Sequence, residues 1–561
     1  MPTITIRHYS EEIASLLVQT GMHPVLSRIY AARGVTCVAQ LESELAGLLA
    51  LQRLKNIEQM AALLADAIAE RKRLLIIADY DSDGATACAV GMRALREFGA
   101  QVEYIVPNRF EYGYGLTPEI VQLAALRQPD ILITVDNGVA SVAGVNEAKR
   151  LGMAVLVTDH HLPGDQLPEA ACIVNPNQAG CLFPSKNLAG VGVIFYVMLA
   201  LRAELRKRGA YTEEPEPKLA KLLDLVALGT VADVVKLDDN NRILVQQGLK
   251  RIRAGHAHAG VKALLSVSGR DARKASVYDL GFMLGPRLNA AGRLDDMALG
   301  IECLLSDDDS RALDIARQLD ALNHERRAIE ADMQESALAA LDSMQVTDSY
   351  SLSLYNENWH QGVIGILAAR IKDKFHRPAL AFACGNPGEL KGSGRSIHGL
   401  HLRDALDLVS KRHPELLQKF GGHAYAAGVT ILERDFEQFK LAFEAVVQTL
   451  LSPADLEQTI EIDGTLNTDD ISLELALLME KQIWGQGFPQ PSFSDDFIVE
   501  EQRVVGSKHL KLKLNKAGRS LDAIFFFHDQ PLPEQIHAVY RLGVNDYNGA
   551  RRLQLIVEHW E

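Results

Sequence analysis

Four apolar runs of strand length, Leu74–Ala78, Val102–Val106, Ile131–Val135 and Ala154–Val157, alternate with stretches of helical periodicity. The intervening stretches are Gly84–Phe98, Thr117–Leu126 and Val139–Leu151. Short continuous apolar strands separated by helices predict βαβ units and a parallel, doubly wound sheet covered on both faces. Three of the four runs end in acids. Asp79, Asp81 and Asp83 follow the first, Asp136 follows the third, and Asp159-His160-His161 follows the fourth. Open parallel sheets bind their ligands beyond the carboxyl ends of the strands, so these groups should meet in one crevice.

Each group is weak evidence alone. Asp79-Tyr80-Asp81-Ser82-Asp83-Gly84 could be a helix N-cap with spare surface acids. It is not an EF-hand loop, because Val90 stands where the bidentate Glu belongs. Asp136-Asn137-Gly138 alone reads as a turn. Asp233 ends an apolar helix, where the dipole disfavours an acid and a cation is the natural partner. Together Asp81, Asp83, Asp136, His160 and Asp233 offer enough oxygen and nitrogen for two divalent ions, with Asp136 as the bridge. Paired ions of this kind serve phosphoryl transfer.

Cationic groups should then hold a phosphate. Candidates are Arg109, Arg287, Arg293, the flexible stretch Lys391-Gly392-Ser393-Gly394-Arg395-Ser396, and Gly421-Gly422-His423. Arg287 to Arg293, with Asn289 between them, reads as a polar loop too rich in small residues to form a helix face. Near the C-terminus, alternation in Lys508–Lys516 places Lys511 and Lys513 on one face of a strand, a surface suited to a single-strand backbone. Tyr540 and Tyr547 are candidate stacking platforms, and a solvated strand face is an equally good reading of the lysines.

At 561 residues the chain needs several cores. An N-terminal helical extension (1–50) and a catalytic α/β domain (51–305) are expected first, with Pro163–Gly180 as a loop. A long helix follows (306–345), capped by Ser306 and about 55 Å in length. A smaller α/β domain (346–452) and a β-barrel (453–561) complete the chain. The six cysteines show no CxxC spacing, which argues against a zinc ribbon or a disulfide scaffold. No bilayer-spanning run or secretory signal is evident, so the expected location is the cytoplasm. A net charge of −14 leaves the partner undecided, since acids that bind metal do not forbid a local basic groove.

Seven motifs taken in order resemble the DHH phosphoesterase superfamily: Asp79–Gly84, Asp136-Asn137-Gly138, Asp159-His160-His161, Thr230–Asp233, Arg287–Arg293, Gly392–Ser396 and Gly421–His423. The resemblance covers nearly the whole chain. It implies a DHH domain, a DHH-associated α/β domain and a C-terminal OB-fold. The implied activity is 5′-to-3′ release of 5′-mononucleotides from single-stranded DNA with two Mn2+ or Mg2+ ions, in repair and recombination. By position, Asp81, Asp83, Asp136, His160 and Asp233 match metal ligands, Asp79 an outer acid, Asp159 the residue orienting the His pair, and His161 the contact to the scissile phosphate. Arg109, Arg287, Ser393 and Arg395 match a 5′-phosphate anchor, with Asn289, Arg293, Gly394, Gly422, His423, Lys511 and Lys513 completing the expected DNA contacts. Ser82 and Tyr425 depart from the usual pattern, and Tyr425 bears on substrate preference. A single-stranded-DNA-binding protein and a helicase are expected partners, and a monomer is the expected state. The competing readings are a phosphodiesterase for short oligonucleotides or cyclic dinucleotides, and a non-catalytic DNA-binding scaffold.

Overall fold

Strands β1 (Arg73–Ala78), β2 (Gln101–Ile105), β3 (Ile131–Val135), β4 (Ala154–Thr158) and β5 (Cys172–Val174) form one sheet in the order β2-β1-β3-β4-β5. Every pair in it is parallel. The computed structural model describes residues 2–112, 115–211, 215–342, 349–506, 508–547 and 550–561. The side chains of β3 are all buried, as those of β1 are after Arg73, which a strand covered on both faces requires. One face packs on helices α1 (Pro118–Ala125) and α2 (Val142–Arg150) through Leu75, Ile77, Leu132, Val155 and Val157. On the other face Gly91 lets its helix, Ser82–Glu97, settle within van der Waals reach of Ile76 and Ile194. The strand order places its reversal between β1 and β3, where such sheets open a ligand crevice.

Two expectations change here. β5 lies inside the stretch Pro163–Gly180 expected to be loop, because three buried residues are too few for periodicity to reveal a strand. The Arg287–Arg293 segment belongs to a helix, α3 (Gly285–Leu294), entered through a π-helical turn at Asp279–Leu284. Its small residues mark close packing: a Cβ at Gly292 would collide with the Tyr80 carbonyl oxygen.

The long helix, α4, runs from Asp309 to Asp342, about 51 Å at 1.5 Å per residue. Its cap is Asp308, whose Oδ1 accepts from Ser310 N (2.8 Å) and Arg311 N (3.2 Å). Ser306, the expected cap, instead accepts from Asp308 N.

The chain divides into two compact units. One is built mainly of Leu319–Ile460 and holds a mixed sheet of β6 (Leu352–Tyr355), β7 (Ala379–Cys384), β8 (Glu389–Arg395), β9 (Lys419–Gly422) and β10 (Ala426–Leu432). The order is β9-β10-β8-β7-β6, with only β6 and β7 parallel. The Gly392-Ser393-Gly394 stretch, expected to be flexible, is the centre of β8. Its glycines supply clearance, since a Cβ at Gly392 would strike the Phe382 ring and one at Gly394 would lie 2.8 Å from Leu402.

The other unit joins the parallel sheet to a closed five-stranded barrel of β11 (Phe493–Val505), β12 (His509–Lys516), β13 (Arg519–Phe525), β14 (Gln535–Tyr547) and β15 (Ala550–Trp560). The N-terminal helices, given no role from sequence, help to bind the barrel's leading segment. Arg33 contacts both carboxylate oxygens of Asp463 at 2.5 and 2.9 Å, with both side chains 1% exposed. Tyr30 stacks on Trp484 and Phe488. Among the described residues no helix is long and apolar enough to cross a membrane. Asp463 would keep Arg7 at 3.5 Å but lose two charge-assisted hydrogen bonds, so Arg33→Ala should destabilise the chain by about 2–3 kcal/mol. Urea unfolding measures this, and a midpoint matching wild type would show that the pair contributes nothing.

Candidate active site

The loop leaving β1 is folded tightly. A Cβ at Gly84 would lie 2.5 Å from the Asp79 carbonyl oxygen, so only glycine allows the chain to enter its helix there. Asp81 is the N-cap, its Oδ1 accepting from Asp83 N (2.9 Å) and Gly84 N (3.0 Å). Asp83 is fully buried. Its carboxylate accepts from Gly190 N (2.6 Å) and Val191 N (2.9 Å), the first amides of the helix Gly190–Lys207. A helix N-terminus favours negative charge at this place.

Asp136 leaves β3 with φ +62°, a left-handed conformation that costs a non-glycine residue about 1 kcal/mol or more and recurs at functional sites. Next to it, Asn137 Nδ2 donates to Ile77 O (3.1 Å) and Val135 O (3.0 Å), tying β1 to β3 at the crevice. Asp159 is buried at the end of β4 and accepts from Val139 N, His160 N and His161 N, and from the His161 ring at Nδ1 (2.8 Å). Asn175 and Asn177 donate to the carbonyl oxygens of His161 and His160. Sequence reading treated Asn137, Asn175 and Asn177 as loop residues, since a side chain's long-range partner leaves no periodic signal.

These elements bring together every expected metal ligand. His160 Nε2 lies 3.1 Å from Asp136 Oδ1, 3.5 Å from Asp233 Oδ2 and 3.9 Å from Asp83 Oδ2. Two sets with ligand atoms within 4.8 Å of one another result, Asp83/His160/Asp233 and Asp79/Asp81/Asp136, and Asp136 also groups with His160 and His161. Asp136 is thus in two of the three sets, as a bridging carboxylate would be. Asp233 caps the C-terminus of the helix Leu223–Ala232, against the dipole as expected. Glycines clear the space: a Cβ at Gly190 would stand 2.5 Å from Asp136 Oδ1, and one at Gly229 would lie 3.0 Å from Asp83 Oδ1.

Burial, reinforced by Asp81, pushes the Asp83 carboxyl up to about 7. Burial and then the charge of Asp83 push Asp136 and Asp233 well above the carboxylate range. Asp159 goes the other way. Burial would raise it, but the His161 hydrogen bond and the charges of both imidazoles outweigh that and hold it low. His161 is correspondingly raised to about 9, its burial overcome by Asp159, Asp79 and Asp81. Hard carboxylate oxygens with one or two imidazoles, charged beyond what their surroundings neutralise, suit a divalent cation.

The expected phosphate contacts fall in both units. In the unit that holds the parallel sheet, Asn289 Oδ1 accepts from Ser82 N (2.8 Å), and the Ser82 hydroxyl lies 3.0 Å or less from Gly285 O and Asn289 Oδ1. Asn289 therefore braces the acidic loop, and Ser82 supplies that brace. Arg287 Nη1 donates to Met283 O. Lys511 faces outward beside Arg503, whereas Lys513 sits between Glu501 and Asp522, so the basic face is partly neutralised. Tyr540 is not a stacking platform: it is buried, donating its hydroxyl to Asp495. The side chains of Arg109 and Tyr547 lie outside the described residues.

In the other unit, Arg293 Nη1 donates to Gly362 O. Arg395 Nη1 donates to Gly394 O (2.8 Å) and Ser393 Oγ (3.3 Å). Ala427 pairs with Gly394 on one side and Gly422 on the other, and His423 N donates to Ala426 O. Ser393, Gly394, Arg395, Gly422 and His423 therefore gather on neighbouring strands, with His423 and Tyr425 exposed.

The fold and this crevice define a DHH-type protein with an appended barrel. Residues 73–230 match the DHH family N-terminal domain, 347–449 the DHHA1 domain, and 462–559 the RecJ OB domain. The single-stranded-DNA-specific exonuclease RecJ of Dickeya dadantii is 51% identical over 549 residues, covering 95% of each chain. Its namesake in Escherichia coli is 48% identical over 99% of this chain and 98% of its own. The crystal structure of RecJ in complex with Mn2+ from Thermus thermophilus superposes on all of this chain and 79% of its own, with TM-score 0.84 and 28% identity. The chain belongs to the RecJ family.

Two outcomes follow from the crowded acids. The Asp83 carboxyl, raised above its unfolded value near 4, stabilises the fold only while protonated, so that contribution is lost as pH rises through about 7. In EDTA the wild type should therefore lose about 1–3 °C of Tm relative to Asp83→Asn between pH 6 and pH 8. Parallel Tm curves for the two proteins would contradict this. Gly190→Ala should weaken Mn2+ binding by about 10-fold or more, as calorimetry would record.

Proposed function

We infer that this chain is a single-stranded-DNA-specific exonuclease that removes nucleotides stepwise from a 5′ end, using Mn2+ or Mg2+. The observation that carries the reading is the convergence of Asp81, Asp83, Asp136, His160 and Asp233, beside the Asp159–His161 pair, in a chain about half identical to named exonucleases along almost its whole length. Named relatives have been crystallised with Mn2+ and with Mg2+. Two such ions, when bound, supply an activated water and neutralise charge at the scissile phosphate.

The protein's own groups do the rest. Asp83, anchored to two helix amides, and Asp136, held in a strained backbone, keep their carboxylates in place without rearrangement. His160 and Asp233 complete the ligand set. Asp159 fixes the His161 ring through Nδ1 and favours its protonated form. Nε2 is then the donor we assign to a non-bridging oxygen of the scissile phosphate. Ser393 and Arg395 suit the 5′-phosphate, Arg395 as a planar fork. A scaffold would not need the ligand set, and the barrel favours a polymer over a dinucleotide.

A 3′-labelled single strand with a 5′-phosphate, and a duplex of the same sequence, test this with Mn2+ or EDTA. Shortening from the 5′ end should require metal and the single strand, and should fall about 100- to 10,000-fold in His161→Ala. Binding without shortening in Mg2+, Mn2+ or Co2+ would overturn the reading.

A further inference from the structure

The π-helical turn at Asp279–Leu284 and the residue that caps it carry two large aromatic side chains that the preceding reading leaves unused. Tyr278 is 52% exposed and Phe282 is 67% exposed. Their rings are stacked, with centroids 4.9 Å apart and planes 22° from parallel. The Arg270 guanidinium lies 5.7 Å over the Tyr278 ring. In this series Tyr278 is engaged by both Arg270 and Phe282, and Phe282 is the open end.

The arrangement is braced from below. Asp279 is buried, accepts from Ser276 N (2.9 Å) and Ser276 Oγ (2.8 Å), and pairs with Arg270 Nε at 3.1 Å. The cation over Tyr278 is thus held by the same acid that starts the turn. A π turn widens the helix by one residue and is a recurrent feature of functional sites. Its inner side approaches the metal ligands: Gly281 lies against Val231 and Gly285 against Ala232, the two residues before Asp233. Arg287, donating to Met283 O, stands on the same stretch. Rings facing water and backed by a guanidinium group suit an anionic polymer with flat apolar bases.

We propose that Phe282, backed by Tyr278 and Arg270, is a nucleobase-stacking platform for single-stranded DNA bound at this site; the proposal rests on the exonuclease reading. Every base has a π face, so the platform accepts any sequence. A base already stacked within a duplex cannot add to it, and the platform therefore contributes to single-strand selectivity.

The test uses the full chain and a set of 5′-phosphorylated dodecamers, each with one abasic position, with binding read by fluorescence anisotropy in EDTA. Wild type should bind the intact strand about 5- to 150-fold more tightly than the strand lacking the base at one particular position. Phe282→Ala should abolish that preference, and Phe282→Trp should keep it, which a general loss of folding or charge would not do. An Ala variant that retains the preference, or a wild type with no position-specific preference, would overturn the proposal. A wild type that shows the preference yet never shortens the strand with Mn2+ would overturn the exonuclease reading and leave the platform in place.

Discussion

Mutual repulsion among buried carboxylates is the constraint around which this molecule is arranged. Asp83 and Asp136 are held where water cannot screen them, Asp233 is only 19% exposed, and burial raises all three. Left to itself such a cluster would push its elements apart or stay protonated. The fold resists in several ways. A helix N-terminus is aimed at Asp83, and Asn137 stitches β1 to β3. Glycines at 84, 190, 229 and 292 let backbone and helices close over the acids without steric conflict. The scaffold is thus committed to a counter-ion before one arrives.

The Asp159–His161 pair works on the opposite principle. One carboxylate with four donors is comfortable as an anion, and the imidazole beside it is comfortable as a cation. Two electrostatic regimes therefore sit a few ångströms apart, one short of positive charge and the other already balanced. That contrast separates groups that take up metal from a group that keeps its proton.

Much of this was legible in the sequence because it depends on periodicity and on where strands stop. The apolar runs gave four of the five parallel strands, and the acids at their ends gave the crevice. What periodicity could not show were features set by contacts distant in sequence. β5 is three residues long. Helix α3 looked like a loop because its small residues are read locally as weak helix formers, whereas they are selected by the Tyr80 backbone more than 200 positions away. Glycines in β8 looked like flexibility and are clearance for Phe382 and Leu402. Tyr540, an aromatic near the basic strand, reads as a platform from sequence, yet its hydroxyl has a buried carboxylate to satisfy.

The bidentate contact between Arg33 and Asp463 spans 430 positions of sequence. At ribosomal rates of about 5–20 residues per second, the acid is synthesised roughly 20–90 s after its partner. For that interval the N-terminal helices have an unmet guanidinium and an uncovered Tyr30 ring. A segment made early is thus among the last to reach its final surroundings. The helices that carry Arg33 and Tyr30 therefore wait, in need of shelter, until the segment ahead of the barrel has left the exit tunnel.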